Sequence, residues 1–222
     1  MGLCVFDLDH TLVRTPLDLA AMAVEMRALL EEARGPLPPR PERWRVGQLV
    51  LWSKAEAPEL EQALWQVALG HERRAMDAAS LEPGALDAVT GARDAGFRTA
   101  LWTNNARALT VPALERLGLA ALLDLVVTRD DMRALKPDPD GWRVISEHFI
   151  APTDGTGGLD AVVVGDSWVD GVAAAAVGVP FVAYRAREEE LRRWGVEPVA
   201  RLDDLAALPA WLMARLDGHP TR

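Results

Sequence analysis

The spacing of hydrophobic residues changes near Ser80 and divides the chain into two differently patterned parts. From about residue 16 to residue 79, apolar side chains recur every three or four positions, which is typical of amphipathic helices that bury one face. The proline-rich segment 35–39 ends the first helix, and further helical patterns follow over 44–52 and 59–69. We predict that this part of the chain is all helical.

After Ser80 the pattern becomes an alternation of helices with short, continuously apolar strands. Such strands are typical of a parallel sheet that helices cover on both faces. We therefore predict an α/β fold with a three-layer, Rossmann-like parallel sheet core, formed by residues 1–14 and 81–222, and an all-helical insertion, 15–80, after the first strand. Later strands are expected at 97–102, 123–128, 160–164 and 181–184, and helices at 84–96, 110–118, 138–149, 168–177 and 203–216.

One glycine-rich segment, Thr153-Asp154-Gly155-Thr156-Gly157-Gly158, has the composition of a surface loop. A phosphate-binding glycine loop would follow a strand, open a helix and carry a lysine, and this segment has none of these features. We interpret it as a connector.

Composition and charge narrow the range of partners. A chain of 222 residues with 50% hydrophobic content can form one substantial core and a second small module. The net charge of -9 argues against nucleic acid and against an anionic membrane, because both need a cationic face. Cys4 is the only cysteine, so no intramolecular disulfide can form. We expect a soluble, cytoplasmic protein, and the sequence leaves its oligomeric state open.

The apolar run that begins at Leu3 leads directly into two carboxylates, Asp7 and Asp9. Side chains alternate along a strand, so both acids should lie on the same face. Two acids this close repel each other unless a cation neutralises them, they share a proton, or one of them reacts. The simplest alternative is a strand end with two solvated acids.

Three more polar segments follow later strands, namely 103–105, 136–139 and 165–170. The carboxyl ends of parallel strands form one crevice, at the point where the connections turn in opposite directions. We expect the four polar segments to meet there.

The four segments, in this order around a helical insertion, resemble the haloacid dehalogenase superfamily, specifically the phosphoglycolate-phosphatase-like branch with a helical C1 cap. The resemblance covers nearly the whole chain. It implies a Mg²⁺-dependent phosphatase that hydrolyses a small phosphorylated metabolite through an aspartyl-phosphate, with the insertion acting as a cap that closes over the substrate. His10 departs from the glycine that is usual in this family.

The resemblance also implies roles for individual residues. Asp7 would be the nucleophile, and Asp9 would transfer the proton. Thr103 and Lys136 would contact the phosphoryl oxygens, together with the backbone amide of Asn104 and that of its neighbour Asn105. The metal ligands would be Asp7, the backbone carbonyl of Asp9, Asp166 and, through water, Asp170.

Each of these residues also has a structural interpretation. Lys136 can be a surface lysine of a loop, and Asp166 and Asp170 can cap a helix. For Asp138, which precedes Pro139, we prefer the capping role. The four histidines are interpreted as structural or exposed. Five residues of the cap are candidates to contact a ligand, namely Arg45, Trp52, Lys54, Arg73 and Arg74. We prefer a simpler interpretation for each, because charged residues of a helix usually face solvent and tryptophans at helical spacing usually pack in a core.

Other functions share parts of this pattern. A phosphomutase would use the same chemistry with a sugar as acceptor. A dehalogenase is disfavoured because displacement at carbon has no need of so many acids. A non-catalytic receiver module would combine aspartates, threonine and lysine in another order, and it would lack the cap.

Overall fold

A computed structural model describes residues 2–149 and 160–216 of the chain. The chain forms two compact units, which we call the sheet unit (1–15 and 79–222) and the helical unit (16–78). The inserted cap was predicted over 15–80. The predicted connector 153–158 and His219 lie outside the described residues.

The sheet unit contains a six-stranded parallel sheet, which confirms the predicted α/β, Rossmann-like class. Its strands occur in the order β5-β4-β1-β6-β7-β8, and a separate antiparallel pair joins β2 to β3. The strands are β1 (Gly2–Phe6), β2 (Val13–Arg14), β3 (Ser80–Leu81), β4 (Phe97–Trp102), β5 (Leu125–Val127), β6 (Asp160–Gly165), β7 (Phe181–Tyr184) and β8 (Ala200–Leu202).

The order of the strands creates a crevice at the centre of the sheet. From β1 the chain continues on one side to β4 and β5, and then returns to form β6, β7 and β8 on the other side of β1. The connections therefore reverse direction between β1 and β6. Ligands of open α/β sheets bind outside the carboxyl ends of the strands at such a point.

Helices of the sheet unit cover both faces of the sheet. On one face, Ile145, Ala173 and Leu191 pack against alternate strand residues such as Val5 and Val163. The intervening strand residues face the opposite side and are also buried, in keeping with a three-layer arrangement. The helices are α4 (Ala85–Asp94), α5 (Arg107–Arg116), α6 (Asp140–Phe149), α7 (Trp168–Ala176), α8 (Glu188–Arg193) and α9 (Leu208–Leu216).

Several elements differ from their predicted bounds. Strand β5 is shorter than predicted because Asp124 leaves the strand pattern: its carboxylate accepts the N–H of Thr99 at 2.8 Å and pairs with Arg93 at 3.1 Å. Helix α9 begins at Leu208, later than predicted, because a short 3-10 turn over Leu205–Ala207 precedes it. The pair β2–β3, helix α8 and strand β8 were not predicted.

The helical unit consists of the three predicted helices, α1 (Leu19–Arg34), α2 (Val46–Glu56) and α3 (Glu61–Asp77). Asp18 caps α1, since its carboxylate accepts the N–H groups of Ala20 and Ala21 at 2.9 Å. Trp52 packs against the core of this unit, and Lys54 lies 3.4 Å from Glu61. The unit has its own apolar core, formed by Met22, Ala23, Met26, Leu30, Leu37, Leu49, Leu64 and Ala68.

Across the described residues, no helix has the length and the apolar character needed to cross a membrane.

Candidate active site

The segment after β1 carries the first two acids. The N–H of Asp7 donates to Val164 O at 2.9 Å, so Asp7 continues the pairing of β1 with β6. The chain then leaves the sheet in a tight turn, in which the N–H of Leu12 donates to Leu8 O at 2.9 Å. Asp9 lies in this turn and not on the strand. The strand alternation that we expected to align the two acids therefore does not extend to Asp9.

Lys136 is buried, with 6% of its surface exposed, so it is not a surface lysine of a loop. Its ammonium donates to Asp7 Oδ1 at 2.6 Å, to Asp170 Oδ1 at 2.6 Å and to Trp102 O at 2.7 Å. An ammonium has three donors, and each has an acceptor here. Lys136 thus joins the end of β1, the end of β4 and the start of α7.

Three carboxylates surround this ammonium. Asp7, Asp166 and Asp170 each place an oxygen within 4.8 Å of the others. Burial, together with repulsion from Asp7 and Asp170, raises the pKa of Asp166 to about 9. Burial also raises the pKa of Asp170 to about 6, although Lys136 opposes the change. Burial would lower the pKa of Lys136, but Asp170 and Asp7 outweigh it and raise that pKa.

The charges of this cluster fit a divalent cation. One ammonium cannot balance three carboxylates, and desolvation together with this excess of negative charge raises the pKa of Asp166. Mg²⁺ is a hard cation that prefers carboxylate and carbonyl oxygens. The predicted ligands Asp7, Asp166 and Asp170 therefore form a donor set that suits this metal.

Helix α7 presents Asp170 to the cluster from its first turn. Ser167 and Asp170 form a capping box at the start of α7, in which the N–H of Ser167 donates to Asp170 Oδ2 at 3.2 Å. Ser167 Oγ also accepts the N–H of Val169 at 3.4 Å. Asp170 therefore caps the helix with one oxygen and binds Lys136 with the other. A Cβ at Gly165 would lie 2.6 Å from Asp170 Cγ, so the end of β6 requires glycine.

Strand β4 ends in three polar residues whose side chains have different partners. Asn104 forms a reciprocal pair with the backbone of Lys136: its Oδ1 accepts the N–H at 2.9 Å, and its Nδ2 donates to the carbonyl at 3.0 Å. Its side chain thus holds the lysine segment, which leaves its backbone for the predicted phosphate contact. Thr103 is buried, and its Oγ1 accepts the N–H of Asn105 at 3.2 Å. The proton of the Thr103 hydroxyl is then available for a phosphoryl oxygen.

Two neutral donors bind the carboxylate of Asp9. The Thr15 hydroxyl donates to Asp9 Oδ1 at 2.6 Å, and Asn105 Nδ2 donates to Asp9 Oδ2 at 2.6 Å. Burial and the charge of Asp7 raise the pKa of Asp9 to about 6, whereas these two hydrogen bonds oppose the rise. A carboxyl group with this pKa can both hold and release a proton near neutral pH. The contact of its backbone carbonyl with a metal stays a prediction.

Sequence reasoning missed three contributors to the site, namely Gly165 and the side chains of Thr15 and Asn105. Gly165 could have been found, because a glycine at the end of an apolar strand often marks a close approach. Thr15 and Asn105 carry no such signal. They contact Asp9 only because the turn after β1 brings it between them.

Other residues singled out in the sequence lie as follows. Asp138 lies just before α6, and its Oδ1 accepts the N–H of Asp140, the first residue of the helix, at 2.9 Å. His10 is exposed and has a φ of 58°, in the left-handed region where glycine is unstrained. In the helical unit, His71 lies 2.7 Å from Glu25.

Comparisons with known proteins agree with this arrangement. A family model described as a haloacid dehalogenase-like hydrolase matches residues 1–178. The phosphoglycolate phosphatase of Agrobacterium fabrum is 28% identical in an alignment 224 residues long that covers 96% of this chain and 93% of the relative. That of Cereibacter sphaeroides strain KD131 is 33% identical in an alignment 190 residues long that covers 81% of this chain and 83% of the relative. A haloacid dehalogenase-like hydrolase from Bacteroides fragilis shares the fold, with a TM-score of 0.68 at 18% identity over 93% of this chain and 99% of that chain.

The parallel sheet and the family model together define a hydrolase with a Rossmann-like fold. More specifically, the chain belongs to the haloacid dehalogenase-like hydrolase family, because the family model spans most of its length. The predictions of this family and of a phosphoric monoester hydrolase are confirmed.

Proposed function

We propose that the chain is a Mg²⁺-dependent phosphatase that hydrolyses a small phosphorylated metabolite, with 2-phosphoglycolate as the first candidate. The proposal rests above all on the cluster of Asp7, Asp166 and Asp170 at the switch point of the sheet, where Lys136 pairs with Asp7 and Asp170. The choice of 2-phosphoglycolate is supported by the phosphoglycolate phosphatases that match over most of the chain.

The carboxylates of Asp7 and Asp166 and the backbone carbonyl of Asp9 would hold Mg²⁺. Asp170 would contact the metal through water. Bound Mg²⁺ neutralises charge on the phosphate ester and on the attacking carboxylate. The Lys136 ammonium, 2.6 Å from Asp7, acts in the same direction. This ammonium reduces the repulsion that an anionic nucleophile meets at an anionic ester.

In the first step, a carboxylate oxygen of Asp7 forms a bond to phosphorus while the bond from phosphorus to the leaving oxygen breaks. This produces an aspartyl-phosphate and divides one difficult displacement into two easier ones. The Thr103 hydroxyl donates to a phosphoryl oxygen. Asp9 gives its proton to the leaving oxygen, so the product leaves as an alcohol.

In the second step, Asp9 is a carboxylate and takes a proton from water. The water oxygen attacks phosphorus, the bond between phosphorus and Asp7 breaks, and inorganic phosphate is released. The carboxylate of Asp7 is regenerated, and Asp9 has its proton again.

The test is phosphate release from 2-phosphoglycolate and from a panel of phosphorylated metabolites, with Mg²⁺ and with excess chelator. We expect turnover that requires Mg²⁺ and that falls by at least about 10⁴-fold in Asp7→Asn, because the nucleophile is lost. Asp87→Asn, at an exposed acid in the first turn of α4, is the matched control and should keep its activity.

Full activity of Asp7→Asn would disprove the nucleophile assignment. No release from any substrate by the wild-type protein would disprove the phosphatase proposal. A phosphomutase would instead return an isomeric phosphate ester, and product analysis separates the two activities.

A further inference from the structure

Asn105 is fixed in place by its backbone. Only 5% of its surface is exposed. Its N–H donates to Thr103 Oγ1 at 3.2 Å, and its carbonyl accepts the N–H of Arg129 at 3.0 Å. Because both backbone groups of Asn105 are hydrogen-bonded, its side-chain amide is restricted to a small volume.

That amide points at one acceptor, the carboxylate of Asp9, and Nδ2 lies 2.6 Å from Oδ2. An amide NH₂ can only donate, and a carboxylate oxygen facing it accepts, so the two groups are matched. The opposite orientation of the amide would place two acceptor oxygens together. The contact also links residues that are 96 positions apart in the sequence.

The carboxyl group of an aspartate rotates easily, because the terminal torsion has a broad energy minimum. The hydrogen bond from the Thr15 hydroxyl to Asp9 Oδ1 would by itself still allow the carboxyl group to rotate and move Oδ2. The second hydrogen bond, from Asn105, fixes the plane of the group. Proton transfer depends on such placement, since small errors in position cost large factors in rate.

We propose that Asn105 is a positioning residue that sets the orientation of the Asp9 carboxyl group for proton transfer to the leaving oxygen. This inference rests on the proposed phosphatase function and deepens it. It assigns to the Asn105 side chain a role separate from the phosphate contacts expected of Thr103 and Asn104.

The decisive measurement compares two substrates with different need for a proton. The p-nitrophenolate ion leaves without one, whereas the alkoxide of an alkyl phosphate such as 2-phosphoglycolate needs one. We expect Asn105→Ala to lower kcat/KM for the alkyl phosphate by about 10- to 100-fold and for p-nitrophenyl phosphate by less than about threefold. The parameter kcat/KM reports the first transfer step and not hydrolysis of the aspartyl-phosphate.

The ratio of the two kcat/KM values is independent of the fraction of folded enzyme, so partial unfolding cannot imitate the effect. Asn105→Asp has the same size but replaces the donor with an acceptor, and it should change the ratio at least as much. Thr110→Val is the control, because the buried Thr110 hydroxyl has no hydrogen-bond partner among the described residues. It should leave the ratio unchanged.

Equal losses on both substrates, or no loss on either, would overturn the positioning role while the phosphatase proposal stands. If the wild-type protein hydrolysed neither substrate in Mg²⁺, the phosphatase proposal itself would fail. The two failures are therefore distinguishable.

Discussion

At the scale of single residues, the site depends on close approaches that leave no room for substitution. Gly165 is the clearest case, since a Cβ there would lie 2.6 Å from Asp170 Cγ and 2.8 Å from Asp170 Cβ. Asp170 is held on its other side by Lys136 at 2.6 Å. It cannot move away from an added methyl group without breaking that contact.

We therefore expect Gly165→Ala to destabilise the protein by about 1–3 kcal/mol, as overpacking usually does. It should also lower kcat, because Lys136 and Asp7 shift with Asp170. Thermal unfolding and phosphate release measure the two effects.

Gly70→Ala in α3 is the matched control. Its Cβ would meet only Arg74 Nη1, at 3.7 Å, and alanine in a helix is about 0.5–1 kcal/mol more favourable than glycine. Gly70→Ala should thus be stabilising. Unchanged stability and activity of Gly165→Ala would contradict the proposed steric requirement.

At the scale of elements, the antiparallel pair β2–β3 is locked to the sheet by one buried carboxylate. Glu82, which follows β3 directly, is 5% exposed. It accepts two bonds from Arg14 at 3.1 Å, the Tyr184 hydroxyl at 2.9 Å and Arg185 Nη1 at 2.9 Å. These contacts join β2 to the end of β7. They also stabilise the segment that carries Thr15, and through it the hydrogen bond to Asp9.

We expect Glu82→Gln to lower the free energy of unfolding by about 2 kcal/mol, because it leaves donors of two arginines without their charged acceptor. Burial would raise the pKa of Glu82, but the hydrogen bonds from Arg14 and Tyr184 outweigh burial and lower this pKa. Its stabilising effect is therefore present above the ordinary glutamate pKa of about 4.3, and it is lost as the pH falls through the lower folded value.

Denaturant unfolding at pH 7 and at acid pH measures this difference between wild type and Glu82→Gln. The control is Glu147→Gln, since Glu147 is 64% exposed and pairs with Arg143 along helix α6. It should cost less than about 0.5 kcal/mol. A Glu82→Gln protein as stable as the control at pH 7 would refute the locking role.

The elements that the sequence predicts well have a long apolar pattern and are bounded by glycine or proline. Strand β4 follows Gly96 and β7 follows Pro180, and both were predicted with the bounds that the structure has. The pair β2–β3 has two residues in each strand, and β8 has three. Such short segments have no periodicity of their own, because tertiary hydrogen bonds define them.

The site divides in the same way. That the strand ends carry Asp7, Thr103 and Asp166 to one crevice follows from parallel pairing, which the apolar pattern predicts. The hydrogen bonds of Asp9 do not follow from it. These bonds depend on the geometry of the turn after β1, and the apolar pattern of the strand does not predict that geometry.

At the scale of the whole molecule, the excess of negative charge at the switch point would couple binding of the proposed metal to folding. Asp166 has a folded pKa of about 9, well above its ordinary value of 3.8, because burial and its acidic neighbours disfavour the charged form. The unfolded chain releases this proton near pH 4, while the metal-free folded protein retains it until about pH 9. Without metal, folding therefore becomes less favourable as the pH rises between these values.

In excess chelator, we expect the Tm of the wild-type protein to fall between pH 5 and pH 8 as a consequence of Asp166. Asp166→Asn removes the group and should flatten this dependence. Saturating Mg²⁺ should raise the Tm of the wild type at pH 8, since a ligand that binds only the folded state stabilises it. The same addition should have a much smaller effect on Asp166→Asn, because a ligand is missing.

Thermal unfolding over a pH series, with chelator and with Mg²⁺, measures all four cases. NaCl at equal ionic strength controls for general charge screening, which would act on both proteins alike. A wild-type Tm in chelator that rises from pH 5 to pH 8 with the same slope as Asp166→Asn would contradict the charge imbalance. An equal Mg²⁺ shift in both proteins would show that the metal binds without Asp166, and the ligand set proposed for the switch point would then be wrong.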